Sequence, residues 1–190
     1  MRSSSLRLFI ASGFEPPFTE SVAAVAEYAR SNAERGAVKW VQPGDFHITY
    51  AFLGELGPAA AASADKAVAD ALAGVGAFDI TMGGFGVFPS ARRPSVLWVG
   101  IAEGAQELRA LASKLSQSLS AAGLFFEDRF EPHVTIGRVK GSLPETFMRR
   151  MAGYVPQKRA VSRLASVDLM QSELTSDGPV YRRVSSRLLL

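Results

Sequence analysis

The 190-residue chain contains no cysteine. Disulfides, thiolate metal sites and a cysteine nucleophile are excluded, and a reducing cytoplasm is the expected setting. No stretch approaches the roughly 20 apolar residues needed to span a membrane. The opening segment, Met1 to Ile10, is basic, but its apolar run is too short for a signal peptide. Neither sign of charge dominates, the formal net charge being +3, and no low-complexity linker divides the chain. Histidine is scarce: there are two. Any imidazole-based proton transfer has to use those two.

The two histidines sit in a repeat. His47-Ile48-Thr49-Tyr50 recurs 86 residues later as His133-Val134-Thr135-Ile136. In a strand, residues i and i+2 share a face, so each copy presents an imidazole beside a hydroxyl. Two such strands brought together make a small polar site. One imidazole can take a proton while the other gives one. The hydroxyls of Thr49 and Thr135, aimed at the non-bridging oxygens of a phosphate, would stabilise charge developing there. One rival reading is a metal site, because Asp45 and Glu131 each stand two residues before a histidine on the same strand face. It leaves the threonines without a role. A second rival is a non-catalytic module that binds RNA ends or nucleotides, for which two titrating groups are not required.

Strand and helix signals alternate along the chain. Leu6 to Ala11 reads as a strand, and Thr19 to Arg35 as a helix with Val22, Val25, Ala26 and Ala29 as its apolar stripe. Val38 to Val41 and Phe46 to Leu53 read as strands around the Gln42-Pro43-Gly44-Asp45 turn. Alanine abundance predicts a helix over Pro58 to Ala73, and Phe78 to Phe88 with Ser95 to Ile101 reads as a hairpin. The order then repeats. Leucines at 108, 111, 115 and 119 predict a helix over Gly104 to Ala122, followed by the second histidine strand. A short helix near Pro144 to Ala152 and strands over Val161 to Gln171 and Val180 to Leu189 complete the chain. Short connections favour antiparallel pairing. The expected fold is α+β: one monomeric domain over residues 1–190, made of two similar lobes with antiparallel sheets, flanking helices and the histidine strands facing each other across a cleft.

Basic residues are unevenly spread: residues 1–100 carry 8 basic and 9 acidic side chains, residues 101–190 carry 13 and 9. Arg138, Lys140, Arg149, Arg150, Lys158, Arg159 and Arg163 follow the second motif, which suits a polyanionic ligand. A set of solvated surfaces reads equally well.

The repeated motifs, with Leu8-Phe9-Ile10-Ala11, Trp40, Phe52-Leu53-Gly54-Glu55, Gly86-Val87-Phe88-Pro89, Leu97-Trp98-Val99-Gly100 and the closing Gly178-Pro179-Val180-Tyr181, resemble the two-histidine phosphoesterase superfamily. The resemblance is to its RNA 2′,3′-cyclic phosphodiesterases, once called 2′-5′ RNA ligases, and covers nearly the whole chain. It implies hydrolysis of 2′,3′-cyclic phosphate ends to 2′-phosphomonoesters without metal or other cofactor, and weak reverse ligation. RNA ends or small 2′,3′-cyclic nucleotides would be the partners; no protein or membrane partner is implied. By the same resemblance His47 is the proton donor, His133 the proton acceptor, and Thr49, Thr135 and Arg138 bind substrate. Strict alternation would turn Arg138 away from His133 and Thr135, so a bulge or strand end near Gly137 is required. Phe9 is the candidate for stacking on a base by analogy, while Tyr50 is bulkier than the family's usual aliphatic residue. Trp40 and Trp98 are expected in the core.

Overall fold

In the computed structural model, which describes residues 5–127, 129–156, 160–175 and 178–190, Pro16 and Pro17 set the start of the first helix. A proline fixes φ near the helical value and lacks an N–H, so it fits a first turn, where that donor has no partner anyway. Helix α1 therefore spans Pro16–Asn32, beginning before the expected Thr19. It also ends before Arg35, because Ala33 is already extended and Asn32 Nδ2 donates to the Tyr28 carbonyl at 2.7 Å. Helix α2 (Pro58–Ala71) follows the alanine-rich run, and α3 (Ala105–Ala121) the predicted leucine stripe. Leu108, Leu111, Leu115 and Leu119 of α3 are all buried, each contributing about 1.5–3 kcal/mol by removal from water.

The strands sort into two antiparallel sheets. One has the order β3-β1-β8-β9, from β1 (Leu6–Ser12), β3 (Ile48–Leu56), β8 (Ser166–Thr175) and β9 (Gly178–Leu188). The other has the order β2-β6-β5-β4-β7, from β2 (Val38–Trp40), β4 (Phe78–Phe88), β5 (Val96–Ile101), β6 (His133–Val139) and β7 (Val161–Leu164). The α+β architecture with two sheets is as expected, but the lobes are not successive halves of the chain. β2 crosses into the second sheet, and β8 and β9 return to the first. The single strand expected over Val161 to Gln171 is correspondingly two: β7 pairs with β4, and after Ala165 the chain enters the other sheet, where β8 pairs with β1. The buried side chains mark the break, since Leu164 and Val167 stand three apart and cannot share one strand face.

Helices α2 and α3 lie against the first sheet, and α1 with α4 (Glu145–Ala152) against the second. These helices take the face carrying Ile48 and Tyr50 in β3, and Val134 and Ile136 in β6, all buried. The opposite faces carry the two histidine motifs, and β3 and β6 approach each other. No helix among the described residues is long and apolar enough to cross a membrane.

Candidate active site

The two motifs share a backbone device. Along the β1–β3 pairing, Ile10 lies opposite Ala51 and Ala11 opposite Thr49, so Tyr50 is an extra, unpaired residue. Along the β5–β6 pairing, Leu97 lies opposite Gly137 and Trp98 opposite Thr135, so Ile136 is the extra one. A bulge shifts the side-chain alternation by one residue. The burial sequence is the same in both copies: His47 and His133 half-buried, the next residue buried, the threonine half-buried, two buried residues, then an exposed one. Arg138 thereby joins the face of His133 and Thr135, which strict alternation would have denied it. Its counterpart in the first motif is Phe52, 59% exposed.

Each imidazole is held by the carbonyl two residues before it. The His47 Nδ1–H donates to Asp45 O at 2.6 Å and the His133 Nδ1–H to Glu131 O at 2.6 Å. A carbonyl only accepts, so this tautomer is fixed and each neutral ring has its lone pair at Nε2. Burial lowers the pKa of His47 below the ordinary histidine value; the Asp45 carbonyl and carboxylate work against this, while the charges of Arg138 and His133 add to it. His133 is lowered chiefly by burial and further by Arg138, with the Glu131 carbonyl and carboxylate opposing. The structure thus brings His47, His133 and Arg138 within electrostatic reach of one another.

The surroundings of the two rings differ. His47 packs on Phe9 at 5.2 Å between centroids and receives Tyr181 edge-on at 5.3 Å. Phe9 also meets Tyr181 at 5.3 Å and Phe52 at 6.0 Å, and is only 2% exposed. Phe9 is on the predicted face, yet its ring is covered, which disfavours the stacking role expected of it; Phe52 and Tyr181 are the accessible rings. Tyr181 is half-buried, which raises its hydroxyl pKa, with Arg138 opposing the rise. His133 instead meets Phe88 edge-on at 5.1 Å and Trp98 at 6.0 Å. Trp98, expected in the core, lies on the cleft face over Gly86, where an added Cβ would fall 2.2 Å from the indole. Trp40 is half-buried, with the Arg30 guanidinium 5.7 Å from its ring centroid. Tyr50 points to the helix-covered side, stacked on Phe130 at 5.4 Å and hydrogen-bonded to Ser12 Oγ at 3.1 Å, which burial and that bond make a packing position.

Most of the expected basic patch is elsewhere. Arg149 and Arg150 lie on α4, whose Phe147 packs on Phe85 at 6.3 Å, behind the sheet from Trp98. Arg150 donates to Asn32 Oδ1 at 2.7 Å, and Arg163 pairs with Asp79 at 3.1 Å. Lys140 is exposed just beyond β6, while Lys158 and Arg159 lie outside the described residues. The proposed metal ligands are also differently engaged: the Glu131 carboxylate pairs with Arg109 at 2.8 Å, and Asp45 makes no ion pair among the described residues. Among those residues, no three His, Asp or Glu side chains gather as a metal-binding group. Sequence reasoning missed Phe52, Tyr181 and Trp98 as cleft residues; extending the repeat two residues beyond each tetrad would have matched Phe52 with Arg138.

Comparison with known proteins bears on this site. The sequence profile of the 2′-5′ RNA ligase superfamily matches residues 17–173. An RNA 2′,3′-cyclic phosphodiesterase of Aquifex aeolicus is 32% identical over 166 residues, covering 86% of this chain and 88% of the relative. One of Aeropyrum pernix is 37% identical over 152 residues, covering 76% and 82%. Among solved structures, E. coli LigT complexed with 3′-AMP superposes with a TM-score of 0.77 at 21% identity, covering 97% of this chain and 98% of LigT. A Thermus thermophilus protein also gives 0.77, at 26% identity and the same coverages.

Proposed function

This chain belongs to the 2′-5′ RNA ligase superfamily, and we propose that it is an RNA 2′,3′-cyclic phosphodiesterase that hydrolyses cyclic ends to 2′-phosphomonoesters without a metal. The observation that carries this reading is the pair of imidazoles tied in the same tautomer on the facing strands β3 and β6, with Arg138 on the face of His133. The reading treats residues 1–190 as one unit, since β2 and the β8–β9 hairpin cross between the sheets.

The reaction needs one proton removed and one delivered. Water attacks phosphorus as His133 Nε2 takes its proton; the P–O3′ bond breaks and His47, protonated at Nε2, gives a proton to O3′. The phosphate remains on O2′. Thr49, Thr135 and Arg138 donate to the non-bridging oxygens, where charge redistributes in the transition state. The division of roles has local support. The Asp45 carboxylate, without an ion-pair partner among the described residues, favours a charged His47, whereas the Glu131 carboxylate is shared with Arg109. Phe52 and Tyr181 offer ring faces to the terminal base. Joining of RNA ends would follow the same path with a 5′-hydroxyl attacking phosphorus in place of water, and water as the competing nucleophile keeps it weak.

The test is turnover of an RNA with a 2′,3′-cyclic end in the presence of a strong chelator, followed by identification of the hydroxyl that keeps the phosphate. A 2′-phosphate is expected. Tight binding without turnover would replace this reading with a binding module, and loss of turnover on chelation with a metal-dependent enzyme.

A further inference from the structure

Arg7, Phe9 and Ala11 share the cleft face of β1. Leu8 and Ile10 turn the other way into the hydrophobic core. The pairing of β1 with β8 runs unbroken from Leu8 to Ala11, and the two bulges of the β1–β3 pair lie on β3, at Tyr50 and Leu53. Alternation therefore holds along β1. Opposite the three cleft residues stand Glu55, Phe52 and Thr49 of β3. Neighbouring cleft positions are about 7 Å apart, which puts Arg7 about 13 Å from Ala11.

The charge of Arg7 reaches the middle of this row. Burial raises the pKa of the Tyr181 hydroxyl; Arg138 opposes the rise, Asp45 adds to it and Arg7 opposes it. Arg7 itself is exposed. Glu55, the carboxylate opposite it, accepts from Ser5 Oγ at 3.3 Å, and Arg7 makes no ion pair among the described residues. Arg183 is placed differently. It shares the face of Tyr181, opposite Met170, and its Nε pairs with the buried Asp168 carboxylate at 3.1 Å. Of these two arginines, Arg7 is the one whose donors are uncommitted among the described residues.

We propose that Arg7 is a substrate-binding residue that holds the 5′-phosphate of the terminal nucleotide, which in RNA is the phosphodiester to the preceding nucleotide. The inference rests on the cyclic phosphodiesterase reading above and extends it beyond the reacting end. In a nucleoside 2′,3′-cyclic phosphate the 5′ oxygen leaves the ribose on the side away from the cyclic phosphate. With the reacting phosphate at His47 and Thr49, and the nucleoside along Phe9, Phe52 and Tyr181, the 5′ end is carried onward to Arg7. The planar guanidinium presents paired N–H groups to two non-bridging oxygens of that phosphate. Contact with a longer RNA then runs along the first sheet, and not over α4.

The experiment compares a nucleoside 2′,3′-cyclic phosphate with the same compound carrying an added 5′-phosphate, using the full chain and its Arg7→Gln and Arg7→Lys variants. Turnover of the first compound by the unmodified protein decides the underlying activity by itself. For Arg7 the reading is the ratio of kcat/KM between the two compounds. The unmodified protein should prefer the 5′-phosphorylated one by about tenfold, through KM, as one charge-assisted contact allows. Arg7→Gln should lose that preference and Arg7→Lys should keep most of it. Equilibrium binding of the two corresponding 2′-phosphates, which needs no turnover, should show the same pattern. No preference in the unmodified protein, or a preference that survives in Arg7→Gln even where both compounds weaken, would overturn the proposal.

Discussion

His47 and His133 are held in the same way and look out on different neighbours. Each sits two residues beyond the carbonyl that fixes its tautomer, and each precedes a threonine and a one-residue bulge. Beyond the bulge the copies part: Phe52 follows in one, Arg138 in the other. The first side of the cleft is walled by Phe9, Phe52 and Tyr181, the second by Trp98 and Phe88 with a cation beside them. The common backbone supplies two interchangeable imidazoles. On the reading proposed above, the differing sixth residue and the differing partners of Asp45 and Glu131 would supply direction, with one side suited to the nucleoside and the other to its phosphate.

The largest expected effect tests what the two sides share. His47→Ala and His133→Ala should each lower kcat on a cyclic-ended oligonucleotide by about 10²–10⁴-fold. The double variant should be little worse than either single, since groups acting as a unit are not additive. Steady-state kinetics on folded variants decides it. Retention of most activity by one single variant would mean that only one side of the cleft is catalytic.

The next effect tests what differs. Arg138→Ala should cost about 10²-fold in kcat/KM on every cyclic phosphate, with the loss largely in kcat. Phe52→Ala should act mainly on KM, by about tenfold, because stacking on a base is worth roughly 1–3 kcal/mol and holds ground and transition states alike. A kcat loss in Phe52→Ala matching that of Arg138→Ala would erase the distinction between the sides.

A smaller effect is read in pH. On the proposed mechanism the active free enzyme would carry one proton between two imidazoles, and burial lowers both pKa values. The maximum of kcat/KM should therefore lie on the acid side of the ordinary histidine value, with the rate falling as pH rises through that value. Arg138 pushes both groups down, so Arg138→Gln should move both limbs of the bell to higher pH. Bound phosphate favours the imidazolium, so the alkaline limb of kcat should stand at higher pH than that of kcat/KM. A maximum above the ordinary histidine value would contradict the burial of the pair.

Much of this was legible in the chain. The double motif located both imidazoles and both threonines, and apolar spacing with alanine abundance located α1, α2 and α3, because those signals are local. The need for a break in alternation ahead of Arg138, by a bulge or a strand end, was also readable from the parity of 133, 135 and 138, and the pairing of β5 with β6 makes it a bulge. What remained hidden depends on pairing between distant segments. That Val161 to Gln171 divides between two sheets follows from β4 and β1 competing for it, which no window of sequence contains. Tyr181 reaches His47 only because β9 returns to the first sheet, and Phe9 loses its expected accessible face to the same tyrosine. Arg149 and Arg150 looked close to the second motif in sequence, yet α4 carries them behind the sheet.

The most direct test is nitrogen-15 NMR of the two histidines in the unliganded protein, where only two imidazoles give signals. Both rings should appear as the Nδ1–H tautomer when neutral and both should titrate below the ordinary histidine range. Adding a 2′-phosphate-ended nucleotide should raise both and perturb both spectra together. An Nε2–H tautomer at either ring, or a ligand that perturbs one histidine and leaves the other untouched, would contradict two equivalent imidazoles serving one cleft.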